Sequence, residues 1–414
     1  MRKMTLGITL SIILSPMSFA SSSEINELKN EVLLLKQMMK ELKKSNDELR
    51  AYQNTTAKDS FVPASRNAFS RLEASVEELK TNLEGNEKSG FQLAGYASFG
   101  WQDAQNNDNE FDLVQFSPIF HYQYGSMFQF EGELEVKVGA DGDTEIDLEY
   151  AAGNIFLNDY VGLIVGKFMS PIGQFVQNGH PSWINKMPST PLGFGHDGAA
   201  PTSNIGIELR GGLPKFANTR SNYAIFVSNA PVFGIATDGD TIIDASGKTS
   251  SNDVSKTWGG RFAVNPISGM EVGVSMASGD IAEELAGGKK IARDYEVVGF
   301  DGAYHYDNFM LKGEYIKQKV GENDLSMLEG GIWRAWYSQL SYQFQGLNLE
   351  PVIRYGDYNN PEIKRKQLAL GLNYLFSNNV IAKLAYENNK DKDGNAVNSK
   401  ANDNRLLAQF AFGF

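Results

Sequence analysis

From Phe91 to the C-terminus the apolar positions recur every second residue, the period of a strand whose successive side chains point to opposite faces. Alternation and turn residues predict strands near 91–102, 112–124, 127–138, 143–156, 160–168, 204–212, 221–229 and 256–265. The remaining strands are predicted near 269–278, 294–306, 308–319, 331–344, 347–357, 365–376, 379–389 and 404–414, which makes sixteen. Long and short connections alternate along this series, from the tight YGS turn after the second strand to Ser377-Asn378 before the last loop. The final strand, NRLLAQFAFGF, sets Leu406, Ala408, Phe410, Phe412 and Phe414 on one face and Arg405, Gln409 and Gly413 on the other. In a soluble sandwich that apolar outer face would be a sticky edge. As the closing strand of a membrane barrel it faces lipid on one side and a lumen on the other. The predicted class is an all-β transmembrane barrel of about 16 antiparallel strands over 91–414, preceded by an α-helical coiled-coil segment.

The period differs upstream. Arg2 and Lys3 precede the apolar run TLGITLSIIL, and Ser18-Phe19-Ala20 offers small residues for cleavage after Ala20, so 1–20 reads as a signal peptide. Over 21–57, Ile25, Leu28, Val32, Leu35, Met39, Leu42, Asn46 and Leu49 occupy steps of three and four that fill heptad positions a and d. That seam predicts a periplasmic coiled coil, with Asn46 as a buried amide that fixes register. β-Branched a residues favour two strands in isolation, a preference that a trimeric body above the seam would override. A linker around Pro63 and a second short heptad run from Phe69 to Leu83 complete 58–90.

Composition narrows the reading. The apolar run of the signal is too short to span a bilayer, and no later stretch reaches the 18 or so apolar residues of a membrane helix, which leaves strands as the means of crossing. Absence of cysteine excludes disulfides, thiolate chemistry and a lipid-modified N-terminus. A net charge of −12 argues against nucleic acid as a partner. With four histidines and no paired-His spacing, neither a metal site nor any other cofactor is predicted. His180-Pro181-Ser182 is the only string suggesting a hydrolase, and its spacing in a proline-rich loop fits packing better than catalysis. The acidic segments DGDTIIDASG and NKDKDGNAVNSKAND lack full EF-hand spacing and read as solvated loops.

Alternation also says which charges face the lumen. In MFQFEGELEVKV the lipid-facing set is Phe128, Phe130, Leu134, Val136 and Val138, which turns Glu131, Glu133, Glu135 and Lys137 inward. A cation placed outward near the bilayer midplane would cost about 2–4 kcal/mol, and a carboxylate somewhat less. Glu145, Asp147 and Glu149 extend this acidic wall on the next strand. A basic wall is predicted from Arg210, Arg261, Lys312, Arg354, Arg365, Lys383 and Arg405. The third outer loop, 169–203, has 35 residues with five prolines and five glycines, a length that is usually functional or packed. Its apolar members Phe175, Trp183, Ile184, Met187, Leu192 and Phe194 favour folding inward, and His180, Trp183, Lys186, His196 and Asp197 are its candidate constriction residues.

These features resemble known families. Phe410, Phe412 and Phe414 are similar to the C-terminal aromatic signature of Gram-negative outer-membrane proteins, which implies recognition by the barrel-assembly machinery. The strand count and the long third loop resemble the sixteen-stranded trimeric porins of the bacterial outer membrane. Within them, the helical segment and the stretch VGKFMSPIGQF are similar to porins of the phosphate-selective type with periplasmic coiled coils. The resemblance implies a homotrimer in outer-membrane lipid and lipopolysaccharide that passes ions and small hydrophilic solutes by passive diffusion, and no enzyme. The alternative is an envelope tether in which the helical segment reaches peptidoglycan.

Overall fold

The computed structural model describes residues 89–105, 110–139, 142–195, 198–216, 219–236, 241–248, 256–285, 288–392 and 403–414. The signal peptide, the coiled-coil seam and nearly all of the linker lie outside the described residues, as do His196 and Asp197. No described helix is long and apolar enough to cross a membrane.

The strands are β1 (Gly90–Ala104), β2 (Glu110–Tyr124), β3 (Phe128–Val138), β4 (Thr144–Asn158), β5 (Val161–Met169), β6 (Ser203–Phe216) and β7 (Thr219–Asn229). There follow β8 (Val232–Ile235), β9 (Thr241–Asp244), β10 (Lys256–Asn265), β11 (Met270–Glu284), β12 (Lys290–Tyr306) and β13 (Phe309–Val320). The series ends with β14 (Gly331–Tyr342), β15 (Leu349–Asn359), β16 (Lys364–Ser377), β17 (Val380–Asp391) and β18 (Arg405–Gly413). A single helical turn, α1 (Phe175–Asn178), lies between β5 and β6. Sixteen strands form one antiparallel barrel: β7 pairs directly with β10, and β18 closes on β1 from Tyr96↔Gly413 to Ala104↔Arg405. Phe414 continues that seam, since its N–H donates to the Gly95 carbonyl at 2.9 Å and its carbonyl accepts from the Gly95 N–H at 3.0 Å. A Cβ at residue 95 would lie 2.5 Å from the Ser117 carbonyl and 2.7 Å from the Phe414 ring, so the closing strand packs only against glycine there.

One rim carries the tight turns, among them Gly125-Ser126-Met127 and the Asp307 turn, whose φ of 50° suits Asp. The other rim carries the long loops, which fixes the former as periplasmic and the latter as outer. The outward face is apolar, with Leu368, Leu370 and Leu372 all exposed on β16. Near the periplasmic rim it is aromatic: Phe309 and Tyr342 lie 4.4 Å apart, Tyr374 and Phe376 4.8 Å, and Phe116 stacks on Phe414 at 6.0 Å. Such a girdle suits the headgroup depth of a bilayer.

The lumen is not uniformly polar. Inward positions of β11–β15 carry Ile281, Tyr295, Val297, Ile316, Val320, Trp333, Tyr337 and Tyr358, all buried. They are covered by Ile172, Phe175, Val176 and Phe194 from the third loop and by Phe233 and Ile243 from the β8–β9 hairpin, which together form one apolar core inside the barrel. The hairpin belongs to the fourth outer connection. It starts beside the end of β11, where the Ala282 N–H donates to Pro231 O at 2.9 Å, and at Thr241 the backbone N–H reaches the Glu362 carboxylate at 3.2 Å. Phe233 meets Trp333 edge-on at 5.7 Å while the Arg293 guanidinium lies 4.6 Å over its ring. The reading of DGDTIIDASG as a solvated loop is therefore corrected: Thr241–Asp244 is a strand and Ile243 is buried, because the apolar pair Ile242-Ile243 finds cover within the mouth.

Candidate constriction site

The loop between β5 and β6 folds into the lumen because the wall supplies partners for its backbone, as buried polar groups require. At its base the N–H groups of Gln174 and Phe175 donate to Glu314 Oε2 at 3.2 and 2.9 Å. Gly173, with φ of 79°, lies so close to the Glu314 carboxylate that a Cβ would overlap it. Gln174 Nε2 reaches Glu271 at 2.6 Å. Farther along, Lys383 donates to Ser182 O and to Gln409 Oε1, the latter at 2.8 Å, and Asn373 donates to Lys186 O at 3.0 Å. Arg354 on β15 donates to Ser189 O at 3.0 Å, Ser189 Oγ at 2.7 Å and Thr190 O at 3.2 Å. Phe194 packs edge-on against Tyr337 at 5.0 Å, and Met187 is buried with Val352, Ala369 and Ala385. The half-buried Trp183 ring lies against Gly413, where a Cβ would be 2.9 Å away. On the opposite side His180 Nδ1 contacts Val176 O at 2.5 Å, and its Nε2 stands 3.9 Å from Glu133, an ion-pair separation rather than a hydrogen bond.

The acidic residues of β3 and β4 face inward and are partly answered by donors. His121 Nδ1 is 2.9 Å from Glu131, Tyr96 donates to Glu133 at 2.7 Å, and Glu135 contacts Lys137 and accepts from Gln115. Glu145 and Asp147 stand opposite Lys137 and Glu135 in register and are exposed toward the outer end. A bulge around Glu149 sets both Glu149 and Tyr150 inward, and Glu149 is buried.

The basic residues divide into two groups. Arg210 contacts Glu208, and Arg261 lies 2.5 Å from Asp301 and 2.8 Å from Glu271, so these two close ion pairs within the wall. On β13–β18 the balance differs. Arg354 and Arg405 share the single carboxylate of Glu387, at 3.4 and 2.7 Å, and Lys186 is 3.1 Å from Glu350. The acceptors of Lys383 are neutral. Lys312 makes no ion pair or hydrogen bond among the described residues and faces a cavity of about 400 Å³, shared with Lys186, Trp183 and Tyr337, below the loop.

A second cavity, of about 580 Å³, runs between the loop and the wall where β18 meets β1. Glu135 and Glu149 line one side of it, Arg365 and Arg405 the other, and His180 and Ser189 reach it from the loop. The structure thus brings both charge sets to one opening, but leaves Arg210 and Arg261 elsewhere. Sequence reasoning missed Tyr96, Glu387 and the buried Arg293–Glu283 pair at 2.9 Å. Tyr96 and Glu387 obey the alternation that placed the others, whereas Glu283 and Arg293 lie beyond the predicted strand ends at 278 and 294, because β11 and β12 extend farther at their outer ends. No three of the described His, Asp or Glu side chains converge as a metal would need.

Residues 234–414, somewhat under half of the chain, match the family model of phosphate-selective porin O and P. The match covers β9 to β18 and not the VGKFMSPIGQF stretch. No curated protein sequence matches the chain. Among solved structures, an anion-selective porin from Comamonas acidovorans superposes with a TM-score of 0.57 at 14% identity, covering 79% of this chain and 100% of that one. The outer membrane channel DcaP of Acinetobacter baumannii gives 0.53 at 12% identity, covering 79% and 97%. Salmonella typhi OmpF, in a complex with daunomycin, gives 0.52 at 13% identity, covering 80% and 99%. The fold is similar to that of these outer-membrane porins, and the C-terminal part is similar to the phosphate-selective type.

Proposed function

We propose that the barrel is a passive outer-membrane channel whose route runs along the β18–β1 seam and whose constriction favours anions. The carrying observation is the charge around the third loop: Lys186, Lys312, Arg354, Lys383 and Arg405 gather about three carboxylates, Glu314, Glu350 and Glu387, which leaves an excess of cations. Across the opening, Glu133 and Glu135 are engaged by Tyr96, Gln115 and Lys137, which spreads their charge over bound donors. In a narrow low-dielectric opening such an excess concentrates the opposite ion and weakens with added salt. The family model for phosphate-selective porins and the similarity to an anion-selective porin support this sign. Exposed Glu145 and Asp147 at the outer end would moderate the preference rather than reverse it.

The mature chain is a homotrimer joined through the heptad seam of 21–57, seated in outer-membrane lipid, with Phe414 read by the assembly machinery. The test is the reversal potential of the reconstituted protein under a tenfold KCl gradient. Anion preference that falls in the Lys186→Gln, Lys312→Gln double variant supports the reading. Cation preference would transfer control to Glu135, Asp147 and Glu149, and silence from folded protein would sink the channel itself.

A further inference from the structure

The outside of the barrel carries a feature that diffusion through the lumen does not use. Near the outer ends of β13, β14, β16 and β17 stand Lys317, Arg334, Lys366 and Lys390. Each points away from the lumen, because its chain neighbours point in: Ile316 and Gln318 flank Lys317, Trp333 and Ala335 flank Arg334, and all four of those neighbours are buried. Buried Gln367, beside Lys366, donates to Asn389, beside Lys390, across the inner face, which leaves both lysines outside.

These cations are paired with each other. Lys317 is directly opposite Arg334, and Lys366 is directly opposite Lys390. Like charges directly opposite on neighbouring strands are destabilising, yet the barrel has two such pairs on one stretch of its outer surface. None of the four makes an ion pair or hydrogen bond among the described residues. The nearby carboxylates are already engaged: Asp357 by Lys392 and Asn359, and Glu296 by Lys319 at 3.8 Å.

Depth identifies the missing anion. Two residues toward the periplasm from Lys317 and Arg334, about 7 Å along the strand, the outward positions are Tyr315 and Trp336, and Trp336 contacts Tyr355 at 5.5 Å. Aromatic rings of this kind sit at the boundary between hydrocarbon and headgroups, so Lys317 and Arg334, one pleat outward, lie at the level of lipid phosphates, and Lys366 and Lys390 stand beside that boundary, level with Trp336 in register through Asp357.

We propose that Lys317 with Arg334, and Lys366 with Lys390, form a two-point site for an outer-leaflet glycolipid whose headgroup carries two phosphates. The midpoints of the two pairs are three strand spacings apart and offset by two residues along the strands, about 16 Å in all, so each pair neutralises one phosphate of one headgroup. Arginine supplies a planar fork for a phosphate, and each lysine a point charge.

The test uses the full-length protein purified in detergent, stripped of endogenous lipid, and probed by native mass spectrometry. The probes are a diphosphorylated glucosamine-disaccharide lipid, its monophosphorylated form, phosphatidylethanolamine and inorganic phosphate. The variants are Lys317→Gln with Arg334→Gln, Lys366→Gln with Lys390→Gln, and all four together, with folding checked by heat-dependent gel mobility. The site predicts one tightly retained diphosphorylated lipid and at least tenfold weaker retention in either double variant. Retention in a double variant should match that of the monophosphorylated lipid on the unaltered protein, and equimolar inorganic phosphate should not displace the lipid. Equal retention by the folded quadruple variant would overturn the proposal. So would equal binding of phosphatidylethanolamine, which would reduce the surface to an apolar belt. Displacement by inorganic phosphate would mark a free-anion site instead.

Discussion

Replacing Arg354 by methionine removes the side chain that makes the most hydrogen bonds from the wall to the 185–192 stretch of the third loop. Arg354 is 1% exposed and makes three hydrogen bonds to Ser189 and Thr190, at 2.7 to 3.2 Å. Methionine fills a similar length with an adaptable apolar chain, so the cost is electrostatic rather than a cavity. Removing one member of a buried ion pair commonly costs about 3–5 kcal/mol, because the other is left uncompensated. Here Glu387 keeps Arg405 at 2.7 Å, so that penalty is largely avoided and the loss is that of the loop contacts. A hydrogen bond from a charged donor contributes about 1.5–3 kcal/mol. Three from one side chain share a single ordering cost, which makes about 3 kcal/mol a fair net figure and about a hundredfold change in the docking equilibrium constant of this stretch. The barrel keeps every inter-strand ladder, so its melting temperature should hardly move. Two readouts follow: greater single-channel conductance with more open-state noise, and faster thiol labelling of Met187→Cys, which is otherwise buried in a chain without cysteine. Arg354→Lys should fall between, keeping charge without the fork. If the methionine variant is folded and neither conductance nor labelling changes, the anchoring argument is wrong.

Other perturbations separate the parts. Phe194→Ala deletes a fully buried ring packed on Tyr337 and should destabilise the internal core by about 3–5 kcal/mol, seen as new conductance substates; an unchanged trace would mean that this core does not hold the loop. Burial pulls the His180 imidazole down, but the nearby Glu133 and Glu149 carboxylates and the Val176 carbonyl outweigh it and hold the pKa above its ordinary value. A raised value means that the protonated contact to Glu133 is fully present below about pH 6.5 and is lost as pH rises through the folded-state value. Loop noise should therefore increase on the alkaline side, and His180→Gln should abolish that dependence; a flat profile in the unaltered protein would refute it. Phe414→Ser removes the stack on Phe116 and the ring over Gly95, and should lower the yield of heat-modifiable barrel in outer membranes; normal yield would deny the terminal aromatic its assembly role.

The barrel strands were legible because two solvents impose the pattern: lipid outside selects apolar residues and water inside selects polar ones. The predicted strands at 127–138 and 256–265 correspond to Phe128–Val138 and Lys256–Asn265. The same rule fails where the inner solvent is protein. On β14 Trp333 and Tyr337 face the apolar plug while Trp336 faces lipid, so alternation there no longer separates inside from outside. The β8 and β9 strands, four residues each, are too short to show a period, and their cover comes from β11 and β14, distant in sequence. Inward charges could be placed from alternation, but their partners could not. Arg261 meets Asp301 across an intervening strand, and Glu387 serves two arginines, one on β15 and one on β18.

The filled half of the lumen and the charged half depend on each other. The plug formed by the third loop and the hairpin occupies the side of β11–β15, and the cavity of the proposed route lies at the seam where β18 closes on β1. There residues of β3 and β4 stand across one cavity from residues of β16 and β18. Arg354 and Lys383 anchor the loop and also contribute positive charge beside the route, so substituting either should change conductance and selectivity together. Lys312 anchors nothing among the described residues. Neutralising it should shift the reversal potential while leaving open-channel noise unchanged. Lumen residues thus sort into those that hold the constriction's shape and those that only charge it, a distinction that net lumen charge alone would not make.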